Sequence, residues 1–535
     1  MRNTPSRRTF LLGSAALVAA PAVLRGAPAA GVADPGFRPD AEIDLFARPG
    51  EAQILSGAPT KLWRYFAEVA SGDKDVATPM ADGFLGPLLR FRQGQKIRIR
   101  LHNELPEKTI THWHGLHVPM AADGHPVYAI DPGQSFTYEF EVKNRAGLHF
   151  YHPHTHEATA TQVYRGLAGG ILVTDAEEAA LGLPSGEFEL PLVLQDRAFN
   201  GDNQVVYGGG MHLSMFGFYG DHILVNGRPD RVFEVASRAY RLRILNGSNA
   251  RIFKLGFDDG SPLTLLGVDG GLLEAPQQRP YLMLAPGERL DVWVDFSGRP
   301  VGARVELRSL PYSGAVSPMA QRMMGVSDMI APPGGAYRIA TFAVTRAVGD
   351  SPSLPKTLAK WTHRKREDAA NSDDPAPIAI SEAPMRMLLN GAPYGDDIGP
   401  RERFPMGSLQ LMKIFHDHGG GMGMGGMRGG MGMGGMGMGM GGMGGGMMGF
   451  AMMHPVHLHG QQFEVIAQSF DGDGGDYATI REGLVYDGLK DTVLVPPGQR
   501  LDILKPFEDF KGRFMYHCHI LEHEDMGMMR QFEVV

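Results

Sequence analysis

PGQSFTYEF (Pro132–Phe140) returns as PGERLDVWV (Pro286–Val294) and again as PGQRLDIL (Pro497–Leu504). Each copy is a Pro-Gly turn that opens a strand of alternating side chains. By their prolines, the copies stand 154 and 211 residues apart. The second interval is longer because two segments interrupt it: the polar Gly349–Asp374, containing KWTHRKREDAANSDD, and the 32-residue Gly419–Phe450. With both set aside the repeat is nearly regular, and 535 residues is too much chain for one core. Three similar units follow, at 36–178, 179–348 and 375–535, with a linker at 349–374 and an insertion at 419–450. The fold class is all-β. Ile97, Ile99 and Leu101 alternate with Lys96, Arg98 and Arg100, and Tyr240, Leu242 and Ile244 alternate with Arg241 and Arg243. Period two predicts one buried face and one wet face in each. Short strands between frequent Gly/Pro turns indicate Greek-key β-sandwiches or barrels.

A formal charge of -8 argues against nucleic acid or an anionic membrane as partner. No apolar run reaches the ~18 residues of a membrane span. The N-terminus reads as an export signal over residues 1–30. Arg7-Arg8-Thr9-Phe10 precedes an apolar run to Val23, and Ala27-Pro28-Ala29 offers a small-x-small cleavage site. Paired arginines before Phe-Leu resemble a twin-arginine signal, which exports folded, cofactor-loaded protein to the periplasm. The single cysteine, Cys518, excludes an internal disulfide. A lone thiol in an oxidising compartment calls for an occupant, and a metal is the first candidate.

Four His-x-His pairs stand out: His112/His114 in HWHGLH, His152/His154 in YHPHTH, His457/His459 in HPVHLHG and His517/His519 in YHCHILEHEDMGMM. Residues two apart on a strand share a face, so each pair offers two imidazoles to one site. Eight imidazoles suit a cluster of copper ions. His152 and His517 each lie 20 residues beyond the proline of their repeat, whereas the middle unit has Glu306 there. The cluster should therefore lie between the first and third units, with the middle unit as spacer. Cys518, between two cluster histidines, should face the other way. With His454, His523 and a weak axial thioether from Met528 it makes the ligand set of a blue electron-transfer copper. Its covalent neighbours His517 and His519 would give a short electron path to the cluster. Structural zinc, with four closed ligands, is disfavoured by a set of twelve.

HWHG, HPHTH, HPxHLHG and HCHxxxHxxxxM resemble the four copper motifs of the three-domain multicopper oxidases, over essentially the whole mature chain. The resemblance implies three cupredoxin-like domains and four copper ions. His112 and His457 would bind type 2 copper. His114, His152, His154, His459, His517 and His519 would bind the type 3 pair. His454, Cys518, His523 and Met528 would bind type 1 copper. Four one-electron oxidations would be coupled to reduction of dioxygen to two waters. The family pattern points to Asp123 and Glu524 as the carboxylates of a proton relay. Glu157 stands where glycine is usual in the family, and Val456 where phenylalanine is common; neither change removes a ligand.

The insertion GGGMGMGGMRGGMGMGGMGMGMGGMGGGMMGF (Gly419–Phe450) holds nineteen glycines and eleven methionines. It reads as a flexible linker or as a copper-recruiting segment. A neutral linker does not need thioethers, which are soft Cu(I) ligands and prone to oxidation. A Gly-rich chain of this length spans roughly 30 Å, so anchorage beside His454 concentrates Cu(I) ligands at the electron entry. The stretch resembles the methionine-rich segments of periplasmic cuprous oxidases of copper resistance. Substrate Cu(I) is expected at Met452 and Met453 and at Met422, Met424, Met447 and Met448, with further labile copper along the segment. His416, Asp417 and His418 could add affinity at its other edge. In those relatives an acidic residue aligns with Phe450, so the docking site here is expected to be methionine-dominated. Alternative readings are a laccase oxidising phenolic donors and a periplasmic copper store without turnover. A monomer is expected.

Overall fold

The computed structural model describes residues 33–535 except 81–82, 209–213, 318–320, 323–324, 384–385, 417–450 and 473. The Met-Gly insertion and the export signal therefore lie outside the described residues. Nearly all the regular structure is β, arranged as six sheets in three successive pairs.

The three repeats occupy the same place in each pair. In the first, the strand Ala41–Ala52 runs parallel to Lys96–Asn103, which pairs antiparallel with the repeat strand Ser135–Glu141. In the second, Glu189–Phe199 runs parallel to Ala239–Asn246, which pairs antiparallel with Arg289–Asp295. In the third, Ala376–Ala383, Ser408–His416 and Gln499–Phe507 repeat the arrangement. Each such sheet faces a five-stranded partner, and three large apolar clusters fill the gaps.

Alternation holds for Lys96–Asn103, where Ile97, Ile99 and Leu101 are buried and Arg98 and Arg100 lie partly open. It fails for Ala239–Asn246, which is buried on both faces. Arg241 and Arg243 turn inward because carboxylates neutralise them. Asp291 and Glu178 bond both guanidiniums, and Glu189 accepts from Arg243 Nε at 2.8 Å. Glu178 sits in the helix Ala176–Ala179, beyond the last strand of the first sheet pair. The alternating arginines thus mark a contact between neighbouring units instead of a wet face.

The segment 349–374 is packed against the body. Leu358 and Ala359 are buried and hydrogen-bond to the Glu274 and Leu273 carbonyls. Trp361 lies under the Arg145 guanidinium, and His363 bridges Glu274 and Glu464. It touches all three sheet pairs along its course.

Candidate metal centre

Strand register assembles the eight histidines. His112 on Thr111–His114 stands opposite His152 on Gly147–Pro153. His457 on His454–Leu458 stands opposite His517 on Gly512–Cys518. The two strand pairs, from the first and third sheet pairs, meet face to face, and all eight rings are buried. His154 Nε2 and His459 Nε2 each lie 3.3 Å from His517 Nε2, and His519 Nε2 lies 3.1 Å from His114 Nδ1.

The second nitrogen of most rings is committed elsewhere. Nδ1–H donates to the Asp123 carbonyl from His112 (2.6 Å), to the Pro153 carbonyl from His152 (2.8 Å), and to the Asp491 carbonyl from His457 (2.9 Å). His517 Nδ1 donates to the Cys518 carbonyl (3.0 Å) and His459 Nδ1 to Asp123 Oδ2 (2.7 Å). Each bond fixes the tautomer that leaves the Nε2 lone pair pointing inward. The Nε2 atoms of His112, His152 and His457 are buried with no hydrogen-bond partner among the described residues. His114 is reversed: Nε2 donates to Asp491 Oδ1 (3.2 Å), which turns Nδ1 inward. Burial and neighbouring imidazoles push His114, His152, His154, His459 and His519 far below the usual histidine range, and His457 to about 3. Neutral imidazoles with free inward lone pairs are ready metal ligands. Two nitrogens held ~2 Å from one metal at a near-tetrahedral angle would stand ~3.3 Å apart. The donor set fits a copper cluster.

Cys518 faces the opposite side of its strand. Its Sγ lies 3.4 Å from His454 Nδ1 and 3.7 Å from His523 Nδ1. His454 Nε2 donates to Glu382 Oε1 (2.7 Å) and His523 Nε2 to the Met215 carbonyl (3.0 Å), so both Nδ1 lone pairs turn to the sulfur side. The short helix Leu521–Asp525 carries His523. Met528 is buried beside them, its carbonyl accepting from Cys518 N. Burial pushes the Cys518 thiol up, so a thiolate here needs a bound cation to hold it. Two imidazoles and one thiolate, with buried Met528 bonded to Cys518 through the backbone, fit a single copper.

Asp123 and Glu524 both reach the histidine pocket. Asp123 bonds His459 through Oδ2, while its buried Oδ1 has no hydrogen-bond partner among the described residues and lies 3.5 Å from His112 Nδ1. Glu524 Oε2 lies 3.1 Å from His517 Nδ1, and its Oε1 lies 3.8 Å from His154 Nδ1.

Two acids and one base in these pockets were not singled out by the sequence reading. Asp491 steers His114 through its side chain and His457 through its carbonyl, and Arg289 grips it through two bonds of 2.6 Å. Glu382 lies between His454 and His416, with its Oε1 3.5 Å from His416 Nε2. Arg289 stands inside the quoted repeat, where alternation alone disguises it. Glu382 carries no local signal. Met452 and Met453 are buried in the third core, and Met452 N donates to Glu382 Oε1 (2.9 Å). Met422, Met424, Met447 and Met448 lie outside the described residues, as do Asp417 and His418. The middle unit is more than a spacer: a Cβ on Gly287 would meet His519 at 2.8 Å and His114 at 2.9 Å.

Family models described as multicopper oxidase match residues 67–178 and 444–535. A laccase of Haloferax volcanii is 31% identical over 452 residues, covering 80% of this chain and 68% of its own. A laccase of Bacillus stratosphericus is 28% identical over 533 residues, covering 89% and 91%. The crystal structure of McoA multicopper oxidase from Aquifex aeolicus superposes with a TM-score of 0.72 at 28% identity, covering 93% and 97%. Nearly all-β architecture, converging histidines and these likenesses agree, and the chain belongs to the multicopper oxidase family, as a three-domain, copper-dependent oxidoreductase with dioxygen as acceptor.

Proposed function

We propose that this oxidase takes Cu(I) as its electron donor and serves copper detoxification in the periplasm. Four copper ions are assigned: type 1 on His454, Cys518, His523 and Met528; type 2 on His112 and His457; type 3 on His114, His152, His154, His459, His517 and His519. Bound there, copper supplies one-electron acceptance at the thiolate and four-electron reduction of dioxygen to two waters at the cluster. The chain's own groups do the rest. Asp123 and Glu524 hold and deliver protons at the histidine pocket, where water formation consumes four for every four Cu(I) oxidised. His517 and His519 flank Cys518 in the chain and join the two pockets covalently. The unit limits 36–178, 179–348 and 375–535 belong to this reading. So does export by the signal over residues 1–30.

The observation that carries the choice of donor is Glu382. The outward nitrogen of His454 meets a nearly buried carboxylate, with His416 on its other side. Burial raises the Glu382 carboxyl, but hydrogen bonds from His416 and His454 outweigh it and bring the group down to about 2. An ionised carboxylate beside an imidazole favours a cationic donor, and Met452 places a thioether in the adjacent chain. A neutral phenol can hydrogen-bond to that carboxylate, but it gains no charge–charge attraction from it. This replaces the methionine-dominated docking site with a mixed one, its acid arriving from the strand Ala376–Ala383 and not from position 450. In the sequence the Met-Gly segment begins after Asp417-His418, the two residues that follow His416, and ends directly before Ala451-Met452, and it would deliver Cu(I) there.

The test is oxygen uptake by copper-loaded protein with Cu(I) or a dimethoxyphenol as donor. Three proteins are compared: the intact chain, a deletion of 419–449, and Glu382→Gln. The deletion should lower kcat/KM for Cu(I) while sparing or raising phenol turnover, and Glu382→Gln should lower kcat/KM for Cu(I) about tenfold. Unchanged Cu(I) kinetics in both would put a laccase, as the Haloferax and Bacillus relatives are named, in front. No catalytic uptake with either donor would leave a copper store.

A further inference from the structure

The middle domain supplies no metal ligand in the reading above, yet its repeat strand ends against the histidine pocket. Arg289, three residues after Pro286, is buried. Its Nη1 and Nη2 each donate to one oxygen of Asp491 at 2.6 Å. Its Nε donates to the Leu148 carbonyl (3.0 Å), on the strand that carries His152. Nη2 also donates to the Asp269 carbonyl and Nη1 to the Gly287 carbonyl. One guanidinium therefore ties together all three domains.

What it holds bears directly on the ligands. Asp491 Oδ1 accepts from His114 Nε2 (3.2 Å) and from Thr492 Oγ1 (3.0 Å), while the Asp491 carbonyl accepts from His457 Nδ1 (2.9 Å). The clamp is closely fitted. Gly115, next to His114, has φ +87, and a Cβ there would come within 2.5 Å of Arg289 Nη2 and 2.7 Å of Asp491 Oδ2. Gly287, in the turn preceding Arg289, abuts His519 and His114. Behind it, Lys490 pairs with Asp269 and Glu288, so two cations and three carboxylates are buried together.

We infer that Arg289 is a positioning residue for the copper cluster: through Asp491 it fixes the reversed ring of His114 and the carbonyl that steers His457, so the middle domain sets the geometry of ligands it does not supply. The fork of a guanidinium matches a carboxylate in two bonds and holds its rotation, which a lysine's single point charge does not. Without the clamp, Asp491 is free to turn, and His114 Nε2 keeps only the Thr492 hydroxyl (3.1 Å), which Asp491 Oδ1 itself orients (3.0 Å), to hold Nδ1 inward.

The inference rests on the ligand assignment proposed above, and the test separates the two. Copper-loaded wild type, Arg289→Gln, Arg289→Lys and Asp491→Asn are compared by copper content, the type 2 electron paramagnetic resonance signal, the type 3 absorption and the blue type 1 absorption. Arg251→Gln is the comparator, because Arg251 is equally buried but, among the described residues, its guanidinium bonds only within the middle domain, to Asp196, Tyr337 and Gly220. Arg289→Gln and Asp491→Asn should lower cluster copper affinity and kcat by about 10–100-fold with the blue absorption retained, and Arg289→Lys should recover part of the loss. Arg251→Gln should lower all signals in proportion as the protein unfolds. The inference is overturned if Arg289→Gln keeps the wild-type ratio of cluster to type 1 signal, whether both persist or both fall together as in the comparator. Should Arg289→Gln not fold, the near-isosteric Asp491→Asn decides by the same ratio. A wild type without type 2 and type 3 signals would instead defeat the ligand assignment.

Discussion

The histidine pocket and the thiolate pocket share one strand, Gly512–Cys518, and use its two faces differently. The first draws its rings from two domains, and nearby carbonyls steer several of them: those of Pro153 and Cys518 directly follow His152 and His517 in the chain. The second draws every proposed ligand from the third domain, yet its two imidazoles are steered from far away, by Glu382 and by the carbonyl of Met215 in the middle domain. Local carbonyls steer part of the histidine pocket, while Asp491 and Asp123 hold His114 and His459 from the opposite domain. Remote steering leaves the donor side adjustable without touching a copper ligand. Relatives that share the ligand set can therefore differ in donor.

The hardest break is Cys518→Ser. A serine oxygen cannot replace a thiolate in charge transfer to copper, so the blue absorption should vanish and oxygen uptake should fall to background with either donor. The type 2 resonance signal should survive, because Cys518 points away from the histidine pocket; its loss would show that the pockets do not form independently. Asp123→Asn should come next. The amide still occupies the place beside His459 but cannot carry a proton, so kcat should fall by about 10²–10⁴-fold while the blue absorption stays. Glu524→Gln should act in the same direction. Rapid reduction of the type 1 site under anaerobic conditions should be unaffected in both, which locates the defect in the histidine pocket.

The same contrast explains what could be read from the chain. Three Pro-Gly turns revealed the repeated sheets because the turn and the alternating strand lie within nine residues of sequence. The His-x-His pairs revealed the pockets because a period of two is enough to put both rings on one face. Glu382 was invisible because it lies 72 residues from His454, and only the folded third domain brings them together. Arg289 stood in plain view inside PGERLDVWV but read as the polar phase of a strand, since its partner is 202 residues away. Arg241 and Arg243 misled for the same reason: alternation reports side-chain direction, not whether the polar side meets water or a carboxylate.

A subtler asymmetry concerns charge beside the histidine pocket. Lys505 is buried, with its ammonium bonded to the Gln461 carbonyl and near the faces of Phe507 and Phe532. Desolvation lowers it to about 7, with Asp491 and Asp123 opposing the shift. A lysine whose folded pKa lies below its unfolded one makes the unfolded chain bind more protons across the interval between them. Stability should therefore rise with pH from about 7 towards 10.5, and the penalty should be fully present below that window. Lys505→Met should remove the penalty. Its stability gain should reach at most about 5 kcal/mol at and below pH 7, less the lost bond to the Gln461 carbonyl, and shrink towards pH 10.5. Denaturant melts of the two proteins across this range measure it. A gain that does not change with pH would mean that packing, and not the buried charge, is what the methionine improves.

The smallest effect sharpens the comparison at the edge of the histidine pocket. Glu157 follows HPHTH where glycine is usual, and the backbone supplies the reason: its φ is +61, in the left-handed region. For a residue with a Cβ that conformation costs about 1 kcal/mol, and glycine avoids the cost while adding roughly 0.5–1 kcal/mol of unfolded-state entropy. The terms nearly cancel, so Glu157→Gly should change stability by no more than about 0.5 kcal/mol. Glu157→Val should cost more than about 1 kcal/mol, since a β-branched side chain is a genuine outlier there. Because Glu157 is exposed, neither change should alter the copper signals. If Glu157→Val left stability intact but weakened the type 3 absorption, the turn would be holding His152 and His154 in place, and the local steering seen at His152 would extend one residue beyond its motif.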